Sequence, residues 1–457
     1  MTDTTDNDLD TICSESARKN NVHLRLVKNA ADKDARDRQG DSVQRTGGRQ
    51  NNAPSTTDAF VILRLHDFDI LEETFGHAVA RELNRLVCER LRGCLRAVDV
   101  LERISANEFA LMLADIGSQK QLETLVARIV ERCSGEYVCA DLRLDIRVTA
   151  GVSIVPQYSS LFEEQLRYAR IALRKTGENF HSSVQFFTPD LLHDLQDRAA
   201  MLFELRQALK QRRFVLHYQP QYRVDSKETI AVESLLRLQT HDGELVFPDR
   251  FIDLAEESGL MLPIGHWVIQ EACRQFREWQ DNGCALQHIA VNVSTKQLID
   301  NSLIEIVDAA VQDAGIDYCN LELEITEQSL ISQISMAKDV LHELSAKGVR
   351  IALDDFGTGY SSLAYLAQLP LNVLKIDRSF LQQLDHDKRS AGLIRSVFYI
   401  ARELDLEVLA EGVENQSQQL FIQSASCHMG QGYGYCRPQT AENMTSMLLQ
   451  PAIPACM

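Results

Sequence analysis

The chain has 457 residues, 45% hydrophobic and 25% charged, which leaves room for two or three domains that each bury their own core. A formal net charge of −18 excludes broad electrostatic binding to DNA or RNA, which needs basic surface to displace counterions, but not a small anion met through bound cations. No apolar run approaches a membrane span, the start Met1-Thr2-Asp3-Thr4-Thr5-Asp6 is unlike a secretory signal, and the eleven cysteines show no CxxC pair or zinc spacing, so we expect a cytoplasmic protein with reduced thiols and no integral membrane segment.

Residues 1–57 are rich in Asp, Asn, Thr, Arg and Gly, with a single strand candidate, Val22-His23-Leu24-Arg25-Leu26-Val27. Such a composition buries too little apolar surface to offset chain entropy, so a disordered polar tail is expected. From Asp58 the pattern changes. Ala59-Phe60-Val61-Ile62-Leu63-Arg64-Leu65 reads as a buried strand, followed by an amphipathic helix over about 78–96 with Leu83, Val87, Leu91 and Leu95 at four-residue spacing. Strands and helices continue to about Phe187 as a small α/β unit. Thr188-Pro189-Asp190 then signals a helix start, and Leu191, Leu195, Leu202, Leu205 and Leu209 give that helix an apolar face. The face suits a dimer seam or packing on its own domain equally well.

Beyond about Arg213 one theme recurs: a short apolar strand, a polar residue at its end, then a helix. Glu233, Asn292, Glu324, Asp354 with Asp355, Lys375 and Glu411 close six such strands. Alternation of this kind suggests a parallel β/α barrel, whose site is assembled from residues where several strands end. Glu233, Asn292, Glu324, Asp354 and Asp355 are hard oxygen donors with no His or Cys among them, which favours Mg²⁺ or Mn²⁺ over zinc or copper. They exceed what one Mg²⁺ normally takes from protein, so two ions bridged by Asp354 would use them well, and such a pair suits in-line displacement at phosphorus. Lys375 and Glu411 could position or deprotonate the attacking water.

Glu233-Ser234-Leu235-Leu236-Arg237 resembles the signature of the EAL family of cyclic di-GMP phosphodiesterases, with Ser in place of its middle Ala. The resemblance extends through Tyr218-Gln219-Pro220, Asn292-Val293-Ser294, Glu324-Ile325-Thr326-Glu327, Asp354-Asp355-Phe356-Gly357-Thr358-Gly359, Lys375-Ile376-Asp377, Ala410-Glu411-Gly412-Val413-Glu414 and Gln431-Gly432-Tyr433. It implies a modified TIM-like (β/α)8 barrel that linearises cyclic di-GMP to pGpG with two Mg²⁺ or Mn²⁺ ions. It further implies that Glu233, Asn292, Glu324, Asp354 and Asp355 are the main metal ligands, Glu411 serves the second metal or its water, and Lys375 serves the nucleophilic water. Glu327 would hold the loop from Asp355 to Gly359, while Gln219, Arg237 and Gln431 would contact or orient the substrate. Ser234 is expected to face away from the ligand side if Glu233 faces it. A homodimer through the barrel or the linker helix is also implied. The alternative is a receptor that binds cyclic di-GMP without cleaving it and signals to a protein partner.

The stretch 58–187 is similar to the GGDEF domain, a nucleotidyl-cyclase-like α/β fold, through Phe68, Gly76-His77 and Arg103-Ile104-Ser105-Ala106-Asn107-Glu108-Phe109. It departs chemically. Ser105 and Ala106 replace two glycines that let backbone approach GTP phosphates, Asn107 replaces an acid, and Arg64 stands where the family has a metal-binding Asp. A degenerate, non-cyclising domain is expected. Arg96-Ala97-Val98-Asp99 resembles the RxxD motif of a regulatory nucleotide site, although an ion pair explains those two residues equally. The expected limits are 1–57 for the tail, 58–187 for the degenerate domain, 188–203 for a helical linker and 204–450 for the barrel, with protein partners reached through the tail or the first domain.

Overall fold

The computed structural model describes residues 57–449, apart from 140, 156, 158–160, 179–182, 301, 358–367, 383 and 385–387. Residues 1–56 of the expected tail 1–57, its strand candidate Val22–Val27, and the 358–359 part of the glycine loop lie outside the described residues, whereas Thr57 begins a strand. The chain divides into two compact units, one ending at Asp197 and the other beginning at Arg198.

In the first unit, β1 (Thr57–Leu65), β2 (Val100–Arg103), β3 (Glu108–Ile116), β6 (Val148–Val155) and β7 (Val184–Phe186) form a sheet ordered β2-β3-β1-β6-β7, while β4 (Gly135–Cys139) and β5 (Leu142–Ile146) form a separate hairpin. β1 is central because Ala59–Leu65 is apolar on both faces, and it pairs antiparallel with β3 and β6. Helix Phe162–Glu178 lies against β6 so closely that a Cβ on Gly151 would fall 2.1 Å from the Ala169 carbonyl oxygen. The helix expected over 78–96 spans Phe68–Arg92 instead, with a break at Gly76, whose φ of 83° is open to glycine. It ends early because the Asp99 carboxylate accepts the Arg96 backbone N–H at 2.8 Å and draws the chain into a turn. Helix Pro189–Gln211 outruns the expected linker; Leu191, Leu192 and Leu195 pack with Ile171 and Phe187, and Leu205 and Ala208 join the core of the second unit.

The second unit is a closed barrel. Its strands are β8 (Phe214–Arg223), β9 (Thr229–Gln239), β11 (His288–Asn292), β12 (Leu321–Thr326), β13 (Arg350–Phe356), β14 (Val373–Ile376), β15 (Glu407–Ala410) and β16 (Met429–Gly430), with β10 (Leu245–Val246) added to the outside of β9. From β9 to β16 neighbouring strands are parallel, but β8 runs antiparallel to both β9 and β16, which corrects the all-parallel expectation. The short link after Arg223 permits only a hairpin, and a hairpin is antiparallel. The same hairpin carries β9 on to Gln239, so Glu233 lies within its strand rather than at the end. Glu324 and the Asp354-Asp355 pair likewise sit inside their strands.

Strand alternation explains how the interior is layered. Ala231, Ala352, Val373, Leu409 and Met429 belong to one small apolar cluster, and two residues further along the chain from each stand Glu233, Asp354, Lys375, Glu411 and Gln431, the last two just past their strand ends. At the opposite strand ends Arg350 bonds Glu322 at 3.0 Å and Glu407 at 2.6 Å, with His288 3.5 Å from Glu322. The barrel therefore runs from an ion-paired base through an apolar middle to a carboxylate-rich top.

Candidate metal centre and active site

Lys375 is fully buried, and its ammonium is the hub of the carboxylate layer. It lies 2.8 Å from Glu324 and Glu411, 3.1 Å from Asp354 and 3.9 Å from Glu233. Burial works against its charge, but the surrounding carboxylates override it and hold its pKa well above the ordinary lysine value. Burial also pushes Glu233 up, yet Lys375 and the hydrogen bonds from Gln431 and Asn292 outweigh it, so that carboxylate sits below its usual range. Glu324 goes the other way, raised well above the usual range by burial and then by Glu233. Burial is likewise the largest cause for Glu411, pushed up to about 8, and for Asp355, which Asp354 raises further.

One oxygen each from Asp354, Asp355 and Glu411 lie within 4.8 Å of one another, an arrangement that could hold a metal ion. Asp355 takes a left-handed backbone, φ 55°, and its N–H donates to the Asp354 carboxylate at 2.8 Å. Asn292 spends its amide N–H on Glu233 Oε1 at 2.7 Å. Its carbonyl oxygen is the remaining side-chain donor for a cation. Glu324 Oε1 has no hydrogen-bond partner although it is buried, and Oε2 meets Lys375 at ion-pair distance without hydrogen-bond alignment. Glu233, Glu324, Asp354 and Glu411 thus share the Lys375 ammonium, with Asp355 beside them. This excess of hard anionic oxygens around an orphaned buried carboxylate oxygen fits a divalent cation.

Gln431 Nε2 donates to Glu233 Oε2 at 2.6 Å and to Gln219 Oε1 at 3.0 Å, and Gln219 in turn donates to the Cys436 carbonyl at 3.0 Å. The expected substrate-contacting glutamines are thereby locked to the carboxylate layer. Arg237 lies four residues beyond Glu233 on the same strand face, donates to the Leu236 carbonyl at 2.7 Å, and sits 4.8 Å over the Phe247 ring. Glu327 Oε2 accepts the Gly357 N–H at 3.1 Å, so it grips the start of the glycine loop. Ser234 donates to the Ala290 carbonyl at 2.8 Å, toward the neighbouring strand. A cavity of about 230 Å³ opens over the layer, lined by Gln219, Glu233, Asp354, Glu411 and Gln431 among others. Tyr433 of the Gln431-Gly432-Tyr433 segment, an exposed aromatic with Arg437 4.5 Å from its ring, also lines it, and one further lining residue escaped the sequence reading: Arg378, three residues past Lys375. The strand-to-helix step after Lys375-Ile376-Asp377 was the only sequence signal for Arg378.

In the first unit Arg64 meets Glu108 at 2.8 Å and Arg170 approaches the other oxygen of Glu108 at 3.8 Å. Ser105 Oγ donates to Asn107 at 3.0 Å. Arg96 and Asp99 pair with each other at 3.4 Å and both tie into Ala114, Arg96 to its carbonyl and Asp99 to its N–H.

Among the described residues no helix is long and apolar enough to cross a membrane. Residues 203–438 match the family model "EAL domain", and residues 42–182 match "Diguanylate cyclase, GGDEF domain". The chain is 35% identical over 386 residues to the bifunctional diguanylate cyclase/cyclic di-GMP phosphodiesterase MucR of Pseudomonas aeruginosa, covering 84% of this chain and 56% of that one. It is 36% identical over 380 residues to the cyclic di-GMP phosphodiesterase NbdA of the same organism, covering 83% of this chain and 48% of that one. It thus spans about half the length of the curated relatives it matches. A solved structure titled as the PaMucR phosphodiesterase in complex with c-di-GMP is 42% identical and covers 54% of this chain and 99% of its own, with a TM-score of 0.52. The chain belongs to the EAL family, its barrel preceded in tandem by a GGDEF domain.

Proposed function

We propose that the barrel hydrolyses cyclic di-GMP to linear pGpG at a centre of two divalent ions, Mg²⁺ or Mn²⁺. The observation that carries this reading is the convergence of Asp354, Asp355 and Glu411 under the cavity, with the Glu233 and Glu324 carboxylates alongside. Glu233, Asn292, Glu324, Asp354, Asp355 and Glu411 would hold the ions. When bound, the ions supply charge neutralisation at the phosphoryl oxygens and an acidified water. Lys375, its ammonium held among carboxylates, would orient the attacking water by donating a hydrogen bond. Glu411, beside Lys375 under the cavity, would serve the second ion or its water. The water oxygen bonds to phosphorus as the bond to the 3′ oxygen breaks, which opens the ring and leaves a 5′ phosphate. Gln219 and Gln431 orient the substrate, and Glu327 keeps the Asp355-Phe356-Gly357 backbone in register.

The GGDEF domain is proposed to be silent as a cyclase and regulatory in role. Arg64 already occupies Glu108, so the acid is neutralised without a metal, and Ser105 and Ala106 place side chains where phosphates would have to approach backbone. Purified protein with Mg²⁺ or Mn²⁺ should convert cyclic di-GMP to pGpG and make no cyclic di-GMP from GTP. Glu233→Ala should lower turnover by at least about 10³-fold. Tight binding without turnover in any divalent metal would instead make the protein a receptor.

A further inference from the structure

The floor of the cavity is acidic, whereas the ligand proposed for it carries two phosphates. The carboxylate-held cations answer one of them, and the second needs a positive group supplied by the protein. Among the described residues lining the cavity, Arg378 is the one cation. It begins the short helix Arg378–Gln382, directly after the strand that carries Lys375. Arg274, Arg277 and Arg350 of this unit are committed to Glu271, Asp281 and Glu322, while Arg237 and Arg437 lie over the Phe247 and Tyr433 rings. Among the described residues Arg378 forms no hydrogen bond or ion pair, even though Glu411 and Glu414 line the same cavity. Its stem is nevertheless fixed. Gly412, at φ 63°, runs so close that a Cβ there would lie 2.2 Å from the Arg378 Cβ. A clamped stem with an unspent guanidinium is a group built to meet something absent from the chain itself.

We propose that Arg378 receives the non-reacting phosphate of the cyclic dinucleotide, through the paired N–H donors that match phosphate oxygens. This assignment rests on the phosphodiesterase reading above. The test compares the full chain with Arg378→Ala and Arg378→Lys on two substrates: cyclic di-GMP, and bis(p-nitrophenyl) phosphate, a diester with a single phosphate. Loss of a charge-assisted contact should raise KM for cyclic di-GMP about 10- to 100-fold in Arg378→Ala, leave the single-phosphate diester within about twofold, and be partly recovered by Lys. Arg378→Gln replaces the Ala variant if thermal melting shows that the latter is misfolded. Equal losses on both substrates, or none on either, overturn the assignment while leaving the phosphodiesterase reading intact. A selective loss of the preference for cyclic di-GMP over cyclic di-AMP would make Arg378 a base reader, which also overturns it. Failure of the wild-type protein to cleave either diester sinks the phosphodiesterase reading and the assignment with it.

Discussion

Lys375 is the residue on which the top of the barrel depends electrostatically. Removing one member of a buried ion pair costs about 3–5 kcal/mol because the partner charge is left uncompensated, and here several carboxylates share one ammonium. Lys375→Met should therefore unfold more readily than wild type in chelating buffer and gain more in Tm from added Mn²⁺. Equal metal-induced shifts in the two proteins would contradict this picture. These carboxylates and Lys375 were legible in the sequence because each follows a short apolar run, and alternation along a strand brings such residues to one face. Arg378 was not legible. An arginine at a helix start reads as surface charge, and only the close approach of Gly412 and the missing partner distinguish it.

Among the elements, the ion-paired base of the barrel predicts a pH effect. His288, at the start of β11, is held down to about 3 by burial first and by Arg350 second. Because its folded pKa lies below its unfolded value near 6.5, the unfolded chain binds the proton more readily, and the stability it contributes is lost as pH falls from about 6.5 toward 3. Denaturant midpoints measured from pH 7 to pH 5 should fall less steeply in His288→Gln than in wild type, and parallel slopes would refute the assignment. Glu322 beside it is raised by burial and works in the opposite sense, so the difference between the two proteins is the quantity to read. Gly151 makes a packing prediction: Gly151→Ala drives a methyl into the backbone of helix Phe162–Glu178 and should cost about 1–3 kcal/mol in chemical denaturation of the first unit. Element type was readable from periodicity, but element limits were not. Glu233 seemed to close its strand because the sequence alone does not reveal that β9 continues as half of a hairpin with β8. The helix expected over 78–96 was displaced because neither the break at Gly76 nor the Asp99 turn alters the apolar spacing.

For the whole molecule, tandem GGDEF and EAL domains leave two opposed chemistries to assign, and the two units differ in how they treat their acids. In the first, Glu108 is closed off by Arg64; in the second, the carboxylates outnumber the one ammonium among them. All turnover is therefore expected in the barrel. The most direct test is a product assay: purified full-length protein, cyclic di-GMP, and Mg²⁺ or Mn²⁺, with nucleotides resolved by chromatography over time. The account predicts metal-dependent accumulation of pGpG, abolished by a chelator and by Glu233→Ala. Cyclic di-GMP left intact by folded wild-type protein across both metals and a range of concentrations would contradict it.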